Sequence, residues 1–383
     1  MKEQKKKKGS LKKTLSMGAG LVVGMGMGFG MGIFLGSYAA RADSLPEVCS
    51  NVAVLFAAFY VGMLIQIIVH EAGHLVFGLL SGYRFSSFRI GSFLWYRENG
   101  RLRLKRQSIA GTGGQCLMVP PALVDGKIPV VLYNLGGSLM NLLVSALLLV
   151  PFFLLGEGSF IGMFCLLTAV CGVISALLNG IPMHMGTIDN DGYNALSLGK
   201  SQEAMEAFWL QLTINDQLMQ GKRLKDMPEE WFRVPADEAM KNSMVVAVGA
   251  AACNRLMDQK RFAEADTLMA HLLEIESGMV DLHRNLLIAD RMYCEMLGQN
   301  RRDTVDALYT PAVKKFMKSM KNYPSVIRTQ YAYALLAEGD AKKAQSLLTR
   351  FEKVAKTYPS PGDIALEREL LALVWDRWAA IQE

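Results

Sequence analysis

Residues 62–80 read GMLIQIIVHEAGHLVFGLL, an apolar run interrupted by the segment HEAGH at residues 70–74. A helix that crosses the hydrocarbon core of a bilayer needs about 20 apolar residues, and this run with the residues before it provides them. Two histidines and a glutamate are costly in such a helix, and ionisable side chains inside membrane spans usually serve a function. The stretch therefore predicts a membrane helix that carries a reactive site.

The spacing of the HEAGH segment indicates a metal site. On a helix, residues at i and i+4 share a face, so His70 and His74 can bind the same ion. Glu71 is offset around the helix, where it can reach a water bound to that metal, as in the H-E-x-x-H pattern of zinc metalloproteases. Ala72 and Gly73 are small and leave room for a substrate or another backbone. The chain has only five histidines, which makes a chance match rare.

Four apolar stretches are long enough to span a bilayer, at about residues 15–38, 50–80, 129–155 and 158–182. The first follows a basic tail at residues 1–14. It is longer than the apolar part of a signal peptide, roughly 7 to 15 residues, so we expect a retained anchor rather than a cleaved leader.

The distribution of Lys and Arg predicts the orientation of the spans. The tail is strongly basic and residues 81–128 carry many basic side chains, whereas the connections near 41–49 and 156–158 carry one Arg and no Lys. Basic loops remain in the cytoplasm, so we expect the tail, residues 81–128 and everything after residue 183 to be cytoplasmic. A multi-pass protein of a bacterial inner or plasma membrane is expected. The net charge of +6 is modest, and the clusters of basic residues border apolar segments. Both observations argue against a nucleic-acid partner.

A catalytic zinc ion needs a third protein ligand and an open position for water. The segment LLNGIPMHMGTIDNDGYN at residues 177–194 ends the fourth span on the same side of the membrane as HEAGH. Pro182 breaks the helix at membrane depth, where irregular backbone is tolerated only if it is buried or lines a wet cavity. Asp191 is the preferred ligand and Asp189 the alternative. His184 can bind metal or donate a hydrogen bond to an oxyanion.

The order of these motifs resembles the site-2 protease family of intramembrane zinc metalloproteases. HEAGH lies in one span, and Asn179-Gly180-Ile181-Pro182 and Asp191-Gly192 follow two spans later, so the resemblance covers about residues 50–192. It implies one zinc ion per chain and the following roles: His70, His74 and Asp191 as metal ligands, Glu71 as the catalytic base, and Asn179 as a catalytic residue that helps to hold substrate or water. The interval between Pro182 and Asp191 is longer than is usual in the family, which keeps Asp189 open.

Residues 84–118 predict a membrane-associated β-hairpin loop. The sequence FSSFRIGSFLWYRENGRLRLKRQ alternates apolar and polar residues around Asn99-Gly100, a strong hairpin signal. The resemblance implies a hairpin at this place whose edge can pair with an unwound substrate. A basic loop that rests on anionic lipid is the alternative.

The second half of the chain has a different composition. Residues 193–235 are expected to be a linker, and residues 236–383 a cytosolic α-helical domain. Segments 261–276 and 331–359 are the clearest amphipathic helices, and the second contains a Gly-Asp turn as in a tetratricopeptide-like repeat of about 34 residues. Such repeats bind protein partners on a concave face, whereas a plain helical domain would only stabilise the enzyme.

The sequence thus predicts a mostly α-helical polytopic membrane protein: a membrane metalloprotease domain at residues 15–192, a β-hairpin loop and a helical-repeat domain. The leading function is an intramembrane zinc metalloendopeptidase that acts on transmembrane proteins or peptides, in regulated proteolysis or in clearance of remnant peptides. A non-catalytic membrane scaffold or chaperone that retains the fold is the alternative. A zinc carrier is disfavoured because the first and third spans contain essentially no ionisable residues.

Overall fold

The structure, a computed structural model, describes residues 28, 32, 42–98, 100–106, 113–156, 159–183 and 190–383. The chain divides into two compact units. The first, called the membrane unit, comprises the described parts of Met1–Ile90, Gly111–Cys116 and Pro129–Gly199. The second, called the helical unit, comprises the described parts of Gly91–Ala110, Leu117–Ile128 and Lys200–Glu383.

Three helices of the membrane unit are long and apolar enough to cross a bilayer: α1 (Leu45–Leu80), α2 (Val131–Leu155) and α3 (Phe160–Gly180). They coincide with the second, third and fourth expected spans. The first expected span, at residues 15–38, lies outside the described residues apart from residues 28 and 32, so four spans remain a prediction. A short helix, α4 (Asp191–Ser197), follows α3.

Small residues allow the three apolar helices to pack closely on one another. A Cβ atom at Gly73 of α1 would lie 2.2 Å from the carbonyl oxygen of Gly136 in α2. A Cβ atom at Gly172 of α3 would lie 2.2 Å from Oγ of Ser145 in α2. Close backbone approach is what small residues provide at helix interfaces in membranes. The absence of a side chain at Gly73 therefore allows the backbone of α2 to approach α1 closely.

The segment expected to form a single hairpin forms four strands: β1 (Arg84–Ile90), β2 (Phe93–Glu98), β3 (Arg101–Arg106) and β4 (Gly114–Val119). Strands β2 and β3 pair antiparallel, from Phe93 opposite Arg106 to Glu98 opposite Arg101. The chain therefore reverses between Glu98 and Arg101, as the Asn-Gly signal predicts, and Asn99 itself lies outside the described residues. Gly100 has φ +78°, a conformation that glycine adopts without strain. The alternation of apolar and polar residues in the sequence did not show that β1 and β4 are strands separate from the hairpin of β2 and β3.

Apart from β2, β3 and residues 117–119 of β4, the named elements of the helical unit are helices. Its α-helices are α5 (Gln202–Met219), α6 (Ser243–Asp258), α7 (Phe262–Glu274), α8 (Asp281–Leu297), α9 (Arg302–Leu308), α10 (Pro311–Ser319), α11 (Pro324–Ala332), α12 (Ala341–Ala355) and α13 (Pro361–Gln382). A π-helical turn, Tyr333–Ala337, follows α11. Residues 193–235, expected to be a linker, contain most of α4, all of α5 and three short 3-10 helices, Leu198–Lys200, Leu224–Asp226 and Glu229–Phe232.

The expected Gly-Asp turn of residues 331–359 is present. Gly339 has φ +68°, and the side chain of Asp340 accepts a hydrogen bond from the Lys343 amide at 2.8 Å, which caps α12. Helices α6, α7 and α8 pack in succession, and α11 packs on α8, α12 and α13. This sequential packing of helices suits a repeat architecture, and the tetratricopeptide-like assignment itself stays a prediction.

Candidate metal centre

The two histidines of HEAGH direct their Nε2 atoms toward the same point inside the membrane unit. His70 and His74 lie on consecutive turns of α1, and their Nε2 atoms are 3.2 Å apart. Each residue is only 8% exposed. The helix therefore provides two imidazole nitrogens directed at one point, as the i and i+4 spacing predicts.

Asp191 supplies a third ligand-type atom from the start of α4. Its Oδ2 atom lies 3.1 Å from Nε2 of His70 and 3.3 Å from Nε2 of His74. Among the described residues, these three form a group whose ligand atoms all lie within 4.8 Å of one another. Burial raises the pKa of Asp191, but its close interactions with both histidines outweigh burial and hold the pKa below its usual value. The carboxylate is therefore in the charged form that a metal ligand requires.

Asn190 fixes the position of Asp191. Its Oδ1 atom accepts hydrogen bonds from the amides of Tyr193 at 3.0 Å and Met183 at 2.9 Å. Its Nδ2 group donates to the carbonyl oxygens of Leu178 at 2.8 Å and Ile181 at 2.6 Å. One side chain thus caps α4 and ties it to the end of α3. Asn190 was not predicted as a site residue, although asparagine before a short helix is a recognisable cap signal.

Close packing explains why the residue after Asp191 is a glycine. A Cβ atom at this position would lie 2.1 Å from the carbonyl oxygen of Gly180, well inside any real contact. Helix α4 can therefore approach the end of α3 only if residue 192 has no side chain. The Asp-Gly pair is thus a packing requirement that brings the carboxylate to the histidines.

A second set of hydrogen bonds orients the histidine rings. The Nδ1 atom of His70 lies 2.8 Å from Oδ1 of Asn141, and Nδ1 of His74 lies 2.8 Å from the carbonyl oxygen of Tyr133. Asn141 is fully buried and uses its Nδ2 group to donate to Gln66, so its Oδ1 atom is the acceptor. Both rings therefore donate from Nδ1 and leave the Nε2 lone pair for a metal, the usual arrangement at metal-binding histidines. Asn141 belongs to no motif and was not predicted.

Glu71 lies against the polypeptide of strand β4. A Cβ atom at Gly114 would lie 2.5 Å from Cγ of Glu71. The side chain of Arg89, which is fully buried, donates from Nη2 to the carbonyl oxygen of Gly114 at 3.1 Å. Burial lowers the pKa of Arg89, and the nearby charge of Glu71 raises it. In the sequence Arg89 is one of many basic residues between positions 81 and 128, but the structure buries its charge beside the HEAGH segment.

The remaining candidate residues have different outcomes. Asn179 donates from Nδ2 to the carbonyl oxygen of Ser175 at 2.9 Å, within its own helix, and its catalytic role stays a prediction. His184 and Asp189 lie outside the described residues. The structure therefore brings Asp191 to the histidines and leaves the alternative ligand Asp189 open.

The donor set fits a catalytic zinc ion. Catalytic zinc sites use three protein ligands drawn from histidine nitrogen and carboxylate oxygen, and they keep one position for water or substrate. Here two Nε2 atoms and one carboxylate oxygen converge in a buried place, and each imidazole is oriented by a hydrogen bond through Nδ1.

Comparison with known proteins gives a family match. The sequence model of peptidase family M50 matches residues 58–336, well over half of the chain. The matched range begins in α1 before HEAGH and continues into the helical unit. No curated protein and no solved structure matches the chain significantly.

Proposed function

Because the chain belongs to peptidase family M50, the site-2 protease family, we propose that it is an intramembrane zinc metalloendopeptidase. Family membership implies a membrane metalloprotease, and three described helices are suited to span a membrane. The proposed reaction is hydrolysis of peptide bonds within or next to the transmembrane segments of membrane proteins or peptides. Regulated proteolysis and clearance of remnant peptides are both consistent with this chemistry.

The convergence of His70, His74 and Asp191 is the observation that carries the proposal. These residues would hold one zinc ion per chain. A zinc ion in such a site acts as a Lewis acid and makes water a potent nucleophile near neutral pH. The sequence distance between His70 and Asp191 is 121 positions, so the group forms only through folding.

Glu71 is the proposed general base. Its carboxylate would take a proton from the attacking water and deliver it to the nitrogen of the departing amine. The packing of Gly114 against Glu71 restricts the side chain, and the buried charge of Arg89 lies nearby. Asn179 is proposed to help to hold the substrate or water.

The place of the motif in α1 supports cleavage at membrane depth. His74 precedes the end of the helix at Leu80 by a distance of about 9 Å, at 1.5 Å per residue. A substrate helix has to unwind locally to reach such a site, because a helical peptide bond is not accessible to a protease. We propose a multi-pass protein of a bacterial inner or plasma membrane, with both termini cytoplasmic.

The experiment is to reconstitute the purified protein in liposomes with a model substrate that has one transmembrane segment. Mass spectrometry of the products locates the cleaved bond. We expect cleavage within or beside the transmembrane segment, loss of cleavage with a zinc chelator, and recovery when zinc is added back. Cleavage confined to soluble loops would contradict the intramembrane activity, and zinc binding without cleavage of several substrates would favour the membrane scaffold.

A further inference from the structure

The helical unit contains a cavity of about 380 Å³. Side chains of α5, α6, α8, α11 and α13 line it. Sites for small-molecule ligands and cofactors have volumes of about 300 to 1,000 Å³. Five helices far apart in sequence thus enclose a space large enough for a ligand, and none of the residues proposed for proteolysis lies among them.

A buried cation lines this cavity with one donor group unused. Arg328 is 1% exposed and lies over the ring of Tyr293, with 4.3 Å between Cζ and the ring centroid. Its Nε group donates to Glu367 at 2.9 Å and its Nη2 group to Asp290 at 2.5 Å. Its Nη1 group is buried and has no hydrogen-bond partner among the described residues. A buried charged donor without an acceptor is costly, which points to an acceptor that enters the cavity.

The charges around Arg328 restrict the nature of that acceptor. Asp290, Glu367 and Asp363 all line the cavity together with Arg328, so its lining holds three carboxylates and one guanidinium. Two of them already pair with Arg328, and an anionic ligand would be repelled by the group as a whole. An oxygen acceptor without a full negative charge, such as an amide carbonyl, suits this environment.

The edge of the cavity provides groups that match a polypeptide. Asn215 of α5 and Asn254 of α6 are exposed and line the cavity. A side-chain amide offers both donors and an acceptor, and so can pair with the N–H and C=O groups of a peptide main chain. Leu218, Leu282 and Leu286 provide apolar surface for side chains.

We propose that the cavity binds an extended segment of polypeptide that carries no net negative charge. In this complex a main-chain carbonyl accepts a hydrogen bond from Nη1 of Arg328, and the amides of Asn215 and Asn254 bind the neighbouring main-chain groups. Apolar side chains of the segment occupy the leucine-lined part. The proposal does not depend on the proteolytic activity, because it concerns only residues of the helical unit.

The test uses the full chain in detergent, with the substitution Glu71→Gln so that bound peptides are not degraded. The immobilised protein is exposed to a library of short, terminally blocked peptides in three classes: net acidic, neutral and net basic. Peptides retained by the protein are sequenced, and their dissociation constants are measured by fluorescence anisotropy. We expect neutral and basic peptides with apolar residues to be retained and acidic peptides to be washed away.

Matched variants locate the binding site. Replacement of both exposed amides, Asn215→Ala with Asn254→Ala, should weaken peptide binding by roughly tenfold because two hydrogen-bonding groups are lost. Ala247→Trp should abolish binding by filling the cavity, which Ala247 lines. Asn285→Ala is the control, since Asn285 donates to Asp281 within α8 and does not line the cavity. Arg328 is not replaced, because its loss would leave Asp290 and Glu367 buried without a counter-ion. Melting temperatures establish that each variant is folded.

Three results would overturn the proposal. The first is that no peptide class is retained by the folded protein. The second is that the folded Ala247→Trp variant binds the selected peptides as tightly as the parent does. The third is that acidic peptides, or free amino acids alone, bind in preference to neutral and basic peptides.

Discussion

The side-chain oxygen of Asn141 accepts a hydrogen bond from the ring of His70, with 2.8 Å between Oδ1 and Nδ1. Asn141 lies on α2 and His70 on α1, so the contact joins two helices in the interior of the membrane unit. The Nδ2 group of Asn141 donates to the backbone and side-chain oxygens of Gln66, one turn before His70. The asparagine therefore sets both the orientation and the protonated nitrogen of a proposed metal ligand.

Replacement of Asn141 by leucine should lower the affinity for zinc. Loss of a hydrogen bond that orients a metal-binding histidine typically costs 10- to 100-fold in metal affinity or activity, and we expect roughly that effect here. Asn141→Asp keeps an oxygen acceptor and should lose less. Titration against a chromophoric chelator measures the affinity, and Asn285→Ala is the control. Unchanged zinc affinity in a folded Asn141→Leu variant would show that the contact does not serve a metal ligand.

Substitution Gly192→Ala should displace Asp191 from the histidines. The added Cβ atom would lie 2.1 Å from the carbonyl oxygen of Gly180, and a backbone atom cannot be moved aside as a flexible side chain can. Gly199→Ala is a matched control, because a Cβ atom there has nothing within 4 Å. We expect loss of bound zinc and of cleavage in the first variant only. Equal zinc content in both variants would contradict the packing role of Gly192.

Replacement of Arg89 by methionine should reduce cleavage more than it reduces bound zinc. The change removes the hydrogen bond to the Gly114 carbonyl and a positive charge near Glu71, while the three proposed ligands remain. Loss of a hydrogen bond from a charged group costs about 1.5 to 3 kcal/mol, or roughly 10- to 100-fold in rate if the cost falls on catalysis. Arg89→Lys should restore part of the rate. Parallel loss of zinc and cleavage would assign Arg89 to folding instead.

The partly buried carboxyl of Asp363 should make the stability of the helical unit depend on pH. Burial raises the pKa of Asp363 from 3.8 to about 6. The folded chain therefore binds this proton more tightly than the unfolded chain does. Its contribution to stability is complete below pH 3.8 and is lost as the pH rises through about 6. A shift of two pKa units corresponds to about 3 kcal/mol.

Asp363→Asn should consequently melt above the wild type at pH 7 and close to it at pH 4. Thermal unfolding followed by circular dichroism gives the comparison. Asp376→Asn, which removes an exposed carboxylate from the same helix α13, is the control. The same difference in melting temperature at both pH values would contradict the assignment to Asp363.

Local patterns were sufficient to predict the elements that carry the site. Apolar length predicted the helices of the membrane unit, and the interval between His70 and His74 placed both rings on one face because an α-helix repeats every 3.6 residues. The Asn-Gly signal placed the reversal between β2 and β3 correctly. Resemblance to the site-2 protease family, carried by HEAGH and the Asp-Gly pair, is confirmed by the family match.

The features that were not predicted depend on tertiary contacts. Asn141 and Arg89 have no sequence pattern of their own, and only the packing of α2 and β1 brings them to the motif in α1. The role of Asn190 as a brace between α3 and α4 requires the backbone oxygens of Leu178 and Ile181 to point at it. Strands β1 and β4 were missed as separate strands because alternation of apolar residues does not identify strand ends.

Parallel measurement of bound zinc and of cleavage tests the central claim most directly. The wild type, Glu71→Gln and Asp191→Asn are purified alike, zinc is measured by mass spectrometry, and cleavage of a transmembrane substrate is followed in the same samples. We predict zinc and cleavage in the wild type, zinc with cleavage lowered by at least about 100-fold in Glu71→Gln, and loss of both in Asp191→Asn. Cleavage by Glu71→Gln at the wild-type rate, or full zinc content with unchanged cleavage in Asp191→Asn, would contradict the account.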